Sequence, residues 1–211
     1  MKYKAVIFDL DGVICSTDQY HYQAWKRMAD EINVHFDEKI NNGLRGVSRM
    51  ESLEIILQNS EKIYSPREKE RLAGQKNEYY KELLQNMTPS DLSGEVKDTL
   101  DALRDMGLKL AIGSSSKNTK FILKQIGLDG YFDEISDGTN IVNSKPDPEV
   151  FLKAAQFLGL TPEECMVVED AKAGIEAAAR GGFESAGLGE AAKSSLVTFP
   201  IEKFADLLSV V

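Results

Sequence analysis

Short runs of apolar residues alternate with amphipathic stretches along most of the chain. The run at 4–10 ends in acidic residues and Gly12, and similar runs at 108–112 and 165–168 lead into Gly113 and Glu169. Short runs that are apolar on both faces are typical of buried parallel strands. The pattern predicts strands at these three places.

Helical patterns separate the predicted strands. They run over 95–106, 118–126 and 147–158, and a glycine follows each of them directly, which is a common helix stop. Alternation of strands and helices is typical of α/β proteins with a doubly wound parallel sheet. In such sheets the functional sites lie beyond the carboxyl ends of the strands. We therefore expect the chemistry of this chain to follow its predicted strands.

Between residues 17 and 89 the pattern changes, because helix signals are frequent there and no clear strand pattern occurs. Ser48 and Ser65 are each followed three positions later by a glutamate, the spacing of a capping box. We predict an all-helical cap domain at 17–89, inserted into a core domain of residues 1–16 and 90–211. An insertion at the carboxyl end of a strand can act as a lid over the site.

Composition narrows the classes of function. The chain of 211 residues has 25 Lys and Arg against 34 Asp and Glu, a net charge of −9. Nucleic acids and anionic membranes are bound mainly through clustered cations, so neither is expected as a partner. No apolar run reaches the roughly 18 residues of a membrane span, and two cysteines are too few for a disulfide framework. We expect a cytoplasmic protein.

Two pairs of carboxylates follow predicted strands, and they suggest a metal site. Asp9 and Asp11 stand two residues apart, and Glu169 and Asp170 follow the strand at 165–168. Solvated acids at a strand end would explain either pair alone. Carboxylates about 4 Å apart repel by roughly 4 kcal/mol at an effective dielectric constant near 20, so converging acids are tolerable mainly around a cation. Oxygen ligands of this kind favour Mg²⁺.

Two further segments carry groups that suit a phosphate. Residues 113–118 offer glycine, three serines, a lysine and a predicted helix start, although their spacing is not that of a Walker A loop. Lys145 precedes Pro146 at another predicted passage from strand to helix. Taken alone, the first segment is a polar loop and the second a solvated lysine. Both alternatives stay open on this evidence.

Together, in order and spacing, these segments resemble the four motifs of the haloacid dehalogenase-like superfamily of phosphotransferases. The segments are Asp9–Gly12, the strand end at Ser114, Lys145 before Pro146, and Glu169–Asp170. The resemblance covers essentially the whole chain and is highly specific. It implies a Rossmann-like core with an inserted cap.

The resemblance also implies roles for these residues. Asp9 is the implied nucleophile, which forms an aspartyl-phosphate, and Asp11 is the implied general acid and base. Mg²⁺ is expected on Asp9, the main-chain carbonyl of Asp11 and Asp170, with Glu169 as a direct or indirect partner. The transferring phosphoryl group is expected to lie against Ser114, the amide of Ser115, and Lys145.

Within the superfamily, the cap segments are similar to those of sugar-phosphate mutases, which hold a bisphosphate whose two ends take turns at the nucleophile. The residues that this similarity assigns to the substrate or its distal phosphate are His21, Trp25, Gly46, Val47, Ser48, Arg49, Ser52, Lys76, Ser116, Lys117 and Asn118. It implies a monomer that acts on small sugar phosphates. The expected reaction interconverts β-D-glucose 1-phosphate and glucose 6-phosphate, with Mg²⁺ and glucose 1,6-bisphosphate as cofactors.

Other functions and other roles remain open at this point. A sugar-phosphate phosphatase could use the same nucleophile with water as acceptor, and a catalytically dead sensor of sugar phosphates would not need both Asp9 and Asp11. A phosphonatase-like reaction would need Lys76 to form a Schiff base. Helical spacing favours the cap core for Trp25, and His21 could be a satisfied hinge residue.

Overall fold

The structure, a computed structural model, describes residues 2–44 and 48–211. It divides into two compact units, the first made of Met1–Ser16 and Thr88–Val211 and the second of Thr17–Met87. The later boundary lies two residues before the predicted end of the helical domain. Thr88 instead caps the short helix that follows it, since its hydroxyl accepts a hydrogen bond from Ser90 N at 3.3 Å.

The strands of the first unit form one sheet in which every neighbouring pair is parallel. In chain order they are β1 (Ala5–Phe8), β2 (Lys109–Gly113), β3 (Glu134–Ser136), β4 (Cys165–Glu169), β5 (Glu184–Gly187) and β6 (Phe199–Pro200). Their order across the sheet is β3-β2-β1-β4-β5-β6. The order reverses direction at β1, as in a doubly wound sheet, so the predicted fold class is confirmed.

The helices account for most of the remaining chain. In chain order they are α1 (Asp18–Glu31), α2 (Glu38–Asn42), α3 (Arg49–Leu57), α4 (Pro66–Leu84), α5 (Gly94–Asp105), α6 (Thr119–Gln125), α7 (Glu149–Leu158) and α8 (Lys172–Arg180). Short 3-10 helices occupy Pro89–Asp91, Pro162–Glu164, Ala191–Lys193 and Phe204–Ser209. In the part of the chain that the structure describes, no helix combines the length and apolarity needed to cross a bilayer.

The register of the central strands determines where the site can form. β1 is completely buried, which explains why its sequence is apolar on both faces. Phe8, its last residue, pairs with Ile112 of β2 on one side and with Val168 of β4 on the other. The carboxyl ends of β1, β2 and β4 therefore lie side by side at one edge of the sheet.

Helix α7 shows how an amphipathic pattern covers the sheet. Val150, Phe151, Ala154 and Leu158 are buried in one cluster with residues of β1 and β4. The helix begins two residues later than its pattern predicts, at Glu149, and it ends at Gly159, whose φ of +72° closes it in the left-handed conformation.

The second unit is helical in every element that the structure describes. Both predicted capping boxes are confirmed, since the hydroxyls of Ser48 and Ser65 accept from the third residue of α3 and α4 and the glutamates there bond back. Helices α1, α3 and α4 enclose an apolar core that includes Trp25, Met28, Ala29, Leu53, Ile56, Leu72 and Ala73.

Candidate active site

Asp9 leaves the sheet directly after β1 and remains buried. Its amide donates to Val168 O at 2.9 Å, so β4 fixes the backbone of Asp9, and the residue is only 8% exposed. The chain then turns back at Gly12, whose amide donates to Cys15 O at 2.8 Å and whose φ is +86°. That φ favours glycine, because residues with a side chain rarely adopt it.

Three carboxylates converge at this edge, as the sequence predicted. One oxygen each of Asp9, Glu169 and Asp170 can be chosen so that all three atoms lie within 4.8 Å of one another. Oε2 of Glu169 accepts from the amides of Asp170 and Ala171, both at 3.0 Å. The carboxylate of Asp11 is not in this group, and the sequence prediction had assigned only its carbonyl to a metal.

Two glycines make room for these carboxylates. A Cβ on Gly12 would lie 2.1 Å from Oδ2 of Asp170, and a Cβ on Gly174 would lie 1.9 Å from Cδ of Glu169. Any larger residue would have to displace an acid. Gly174 was not predicted from the sequence, because it stands in the first turn of α8 with no motif around it.

Lys145 lies between two of the acids and is not a solvated surface lysine. Its Nζ lies 2.5 Å from Oδ1 of Asp9 and 2.5 Å from Oε1 of Glu169, and the residue is 8% exposed. The ammonium also lies 4.6 Å from the ring centroid of Phe151. The Lys145–Pro146 peptide bond is cis. The alternative of a lone surface charge is therefore wrong.

The electrostatics of the cluster favour the uptake of positive charge. Burial raises the pKa of Asp170 to about 8, and the charges of Glu169, Asp9 and Asp11 contribute to that rise. Burial also raises the pKa of Glu169 to about 7, although Lys145 opposes that rise. Burial disfavours the ammonium of Lys145, but the attraction of Asp9 and Glu169 outweighs it and raises the pKa of Lys145.

The donor set fits Mg²⁺. Hard carboxylate oxygens converge from two strand ends, and without a cation two of the three acids have pKa values shifted toward the neutral form. A divalent cation would relieve the repulsion that contributes to these raised pKa values. Asp9, Glu169 and Asp170 are the side chains that could hold it.

A loop that begins with three serines, Ser114–Ser116, follows β2 at the same edge of the sheet. Ser114 is buried, its amide donates to Ser136 O at 3.1 Å, and its hydroxyl accepts from Ser116 N at 3.2 Å. The hydroxyl of Ser116 accepts from Asn118 N at 3.1 Å, while Lys117 is exposed. Helix α6 starts one residue after Asn118. The loop thus presents hydroxyls and a helix start beyond the end of β2, as the sequence predicted.

In the second unit, Lys76 connects several of the predicted residues. Its Nζ lies 2.7 Å from Nδ1 of His21, 4.8 Å from the ring centroid of Trp25 and 4.6 Å from that of Tyr80. The ring of His21 stacks on Tyr80 with centroids 4.0 Å apart. Because an ammonium can only donate, Nδ1 of His21 accepts and the proton of a neutral ring lies on Nε2. Tyr80, which stands in α4 one turn after Lys76, was not predicted from the sequence.

The predicted residues around the start of α3 are only partly described. Ser48 caps α3, and Arg49 is the first residue of that helix. Ser52 is buried. Burial lowers the pKa of Arg49, and the nearby Tyr80 and Glu78 oppose that effect. Gly46 and Val47 lie outside the described residues. Trp25 is 3% exposed within the apolar core, the position that its helical spacing favoured.

Comparison with known proteins agrees with this geometry. A family model described as haloacid dehalogenase-like hydrolase matches residues 3–182. The β-phosphoglucomutase of Bacillus subtilis is 42% identical over 189 residues, which are 89% of this chain and 84% of that protein. The phosphorylated carbohydrates phosphatase of Thermotoga maritima is 32% identical over 184 residues, which are 86% of this chain and 82% of that protein.

A solved structure supports the same relationship. The crystal structure of β-phosphoglucomutase from Clostridium difficile superposes with a TM-score of 0.89 at 37% identity, and the match covers 97% of this chain and 93% of that one. These similarities make the chain an enzyme of phosphoryl transfer that resembles β-phosphoglucomutase. With the family model matching most of its length, the chain belongs to the haloacid dehalogenase-like hydrolase family.

Proposed function

We propose that this protein is an Mg²⁺-dependent isomerase that interconverts β-D-glucose 1-phosphate and glucose 6-phosphate. The observation that carries the chemistry is the buried Asp9 carboxylate, held at 2.5 Å from the ammonium of Lys145 beside two further acids. The similarity to β-phosphoglucomutases supports the choice of isomerisation. Action as a monomer on free sugar phosphates in the cytoplasm remains a prediction.

In the first half of the proposed reaction, a carboxylate oxygen of Asp9 attacks phosphorus. The bond from phosphorus to the sugar oxygen breaks, and Asp11 gives that oxygen a proton. The product is an aspartyl-phosphate on Asp9. Lys145 and the hydroxyl of Ser114 donate hydrogen bonds to the phosphoryl oxygens, and Mg²⁺ held by the acids would offset their charge.

The second half of the proposed reaction reverses these roles. Asp11, now a carboxylate, takes the proton of a sugar hydroxyl, whose oxygen attacks the phosphorus and releases Asp9. Only one of the two phosphates of a bisphosphate can lie at Asp9 at a time. A mutase therefore needs a second group of residues that binds the other phosphate. The assignment of Arg49, Ser116, Lys117 and Asn118 to that distal phosphate remains a prediction.

The second candidate is a sugar-phosphate phosphatase, which would use water as the acceptor. The similarity to the phosphorylated carbohydrates phosphatase of Thermotoga maritima favours it. The two functions share Asp9, Lys145 and the acidic cluster, so the core site alone does not separate them. They differ in the acceptor of the second step and therefore in the product.

The test is a comparison of anomers and activators. Purified protein with Mg²⁺ should convert β-glucose 1-phosphate to glucose 6-phosphate, and catalytic glucose 1,6-bisphosphate should stimulate the rate. The α anomer serves as the control and should react poorly. Release of inorganic phosphate alone, with no stimulation by the bisphosphate, would contradict the proposal and favour the phosphatase.

A further inference from the structure

The first residue of α7, Glu149, holds the loop that carries Lys145. Oε2 of Glu149 accepts from the amide of Asn143 at 2.8 Å and from Nδ2 of the same residue at 3.2 Å. The amide of Val142 donates to both carboxylate oxygens of Glu149, each at 3.1 Å. One side chain at the start of a helix therefore binds two consecutive residues of the loop that precedes the helix.

Burial does not hold this part of the loop in place. Val142 is 88% exposed, and Asn143 is exposed as well. An exposed segment depends on its hydrogen bonds for a fixed position. The carboxylate of Glu149 is held in turn, since Nζ of Lys153 lies 2.7 Å from its Oε1 and also donates to Asn140 O. The bonds from Lys153 and from the two loop amides lower the pKa of Glu149 to about 2, so the carboxylate is charged at neutral pH.

The residues that Glu149 binds stand close to Lys145 in the chain. Only Ser144 separates Asn143 from Lys145, and two residues of chain span at most about 7 Å. Lys145 is followed by a turn in which Asp147 N donates to Ser144 O at 3.1 Å. The amide of Glu149 donates to Oδ1 of Asp147 at 2.9 Å. The chain on both sides of Lys145 is therefore attached to the first residue of α7.

This attachment matters because the ammonium of Lys145 acts over a short distance. Its Nζ lies 2.5 Å from one carboxylate oxygen each of Asp9 and Glu169. These ion pairs hold the end of the side chain, whereas the loop holds the backbone from which it extends. A misplacement of about 1 Å at a reacting group can lower a rate roughly 100-fold. A looser loop should therefore weaken the bonds that the ammonium makes.

We propose that Glu149 is a positioning residue, which acts through the loop at Val142 and Asn143 to place the ammonium of Lys145. The inference rests on the proposed function, because it assigns to Lys145 the binding of the transferring phosphoryl group. Glu149 acts through the backbone, since its carboxylate is taken up by the loop amides and by Lys153. Loss of this carboxylate should therefore impair both the ion pairs of Lys145 and its contact with phosphate.

The first test is a double-mutant cycle of Glu149→Gln and Lys145→Met, measured by denaturant unfolding in EDTA at pH 8. Glutamine keeps the shape of glutamate, but one of its two terminal groups is an amide nitrogen that can only donate. It therefore cannot accept all the bonds from the loop. The stability lost by Glu149→Gln should be roughly twice as large with Lys145 present as in Lys145→Met, because only then are the ion pairs also weakened. Equal losses in the two backgrounds would overturn the inference.

The second test is the Kd for inorganic phosphate, measured by calorimetry in the presence of Mg²⁺. In Glu149→Gln it should rise about tenfold, the loss expected when a charge-assisted hydrogen bond is weakened. Glu95→Gln is the matched control. Glu95 also stands in the first turn of its helix, α5, and its Oε1 accepts from a distant amide, Ala205 N, at 3.1 Å. This variant should lose stability but keep the Kd of the wild-type protein.

The outcomes separate this inference from the proposed function. If the wild-type protein binds phosphate and Glu149→Gln binds it equally well, the positioning role is wrong and the proposed function stands. An equal rise of the Kd in Glu95→Gln would trace the effect to a general loss of stability and would also overturn the inference. If the wild-type protein does not bind phosphate, the proposed function fails. The unfolding cycle, which needs no phosphate, would still decide whether Glu149 places Lys145.

Discussion

Gly12 and Asp170 are fitted to each other so closely that a Cβ on Gly12 would lie 2.1 Å from Oδ2 of the carboxylate. The turn that follows Asp9 is therefore packed directly against the carboxylate that follows β4. Space at residue 12 is needed in addition to the φ of +86°, which by itself favours glycine. This contact joins the two acidic motifs, which stand far apart in the sequence.

We expect Gly12→Ala to weaken Mg²⁺ binding by displacing Asp170. The Kd for Mg²⁺, measured by calorimetry, should rise at least tenfold, a common cost of disturbing the support of a metal ligand. The control is Gly107→Ala, because Gly107 has the same φ of +86° but no heavy atom within 4 Å of the position that a Cβ would take. Both variants should lose about 1 kcal/mol of stability from backbone strain. Equal Mg²⁺ affinity in the two variants would contradict the role of the close contact.

Removal of the buried cation should destabilise the metal-free protein. We expect Lys145→Met to lower the free energy of unfolding in EDTA by about 3 kcal/mol at pH 8, since it leaves Asp9 and Glu169 without their partner. The loss should shrink at pH 5, because burial raises the pKa of Glu169 to about 7 and this acid takes up a proton there. Lys193→Met is the control, because the Lys193–Glu190 pair is exposed and such pairs contribute about 1 kcal/mol or less. A similar loss in both variants, measured by denaturant unfolding, would contradict this account of Lys145.

Binding of Mg²⁺ should release protons near neutral pH. With the pKa of Asp170 at about 8 and that of Glu169 at about 7, the metal-free cluster is partly protonated at pH 7. Ligation needs the carboxylates, so the apparent affinity should fall as the pH falls from 8 to 6. Calorimetry in buffers of different ionisation enthalpy measures the protons released. An affinity that does not change over this range, with no proton release, would contradict the raised pKa values.

The same shifts have a consequence for stability. The folded-state pKa of Asp170 lies above its unfolded value of 3.8, so the folded chain binds more protons between these two values. Stability of the metal-free protein should therefore fall as the pH rises from about 4 to 8. Saturating Mg²⁺ should remove this slope. Unfolding curves in EDTA and in Mg²⁺ across this range provide the comparison.

His21 should make the chain sensitive to acid. Burial lowers the pKa of His21 well below 6.5, and Lys76 and Arg49 contribute to that shift. Below pH 6.5 His21 is protonated in the unfolded chain and remains neutral in the folded one. The free energy of unfolding therefore falls as the pH falls through this region. In His21→Gln the slope of unfolding free energy against pH below 6.5 should be shallower. The control is His35→Gln, since the side chain of His35 is 73% exposed. An unchanged slope in His21→Gln would contradict the inferred neutral ring.

The sheet and the group of acids at its edge could be predicted because local patterns in the sequence mark both of them. The apolar run before Asp9 and the run before Glu169 have the pattern of buried strands, and parallel strands end at one edge. The motif identified Lys145 as a candidate residue, but it did not predict that the side chain is buried. The position of its ammonium depends on Asp9 and Glu169, 136 and 24 residues away.

Other features left no local signal. Gly174 matters because of the Glu169 carboxylate beside it, and Gly138 matters because of the Ser115 carbonyl. The sequence does not show that a glycine with an ordinary φ is required because a side chain there would have no room. The partnerless hydroxyl of Ser115 is likewise visible only when its neighbours in the described part of the chain are known. Each of these features depends on how atoms pack in the folded chain, which no pattern along the sequence shows.

The most direct test of the proposed isomerase is the balance of phosphate during turnover, followed by ³¹P NMR. With β-glucose 1-phosphate, Mg²⁺ and a trace of glucose 1,6-bisphosphate, glucose 6-phosphate should appear as the starting signal disappears, and the total organic phosphate should remain constant. Asp9→Asn should leave the spectrum unchanged with time. Inorganic phosphate that grows in step with the loss of substrate, without glucose 6-phosphate, would contradict the isomerase.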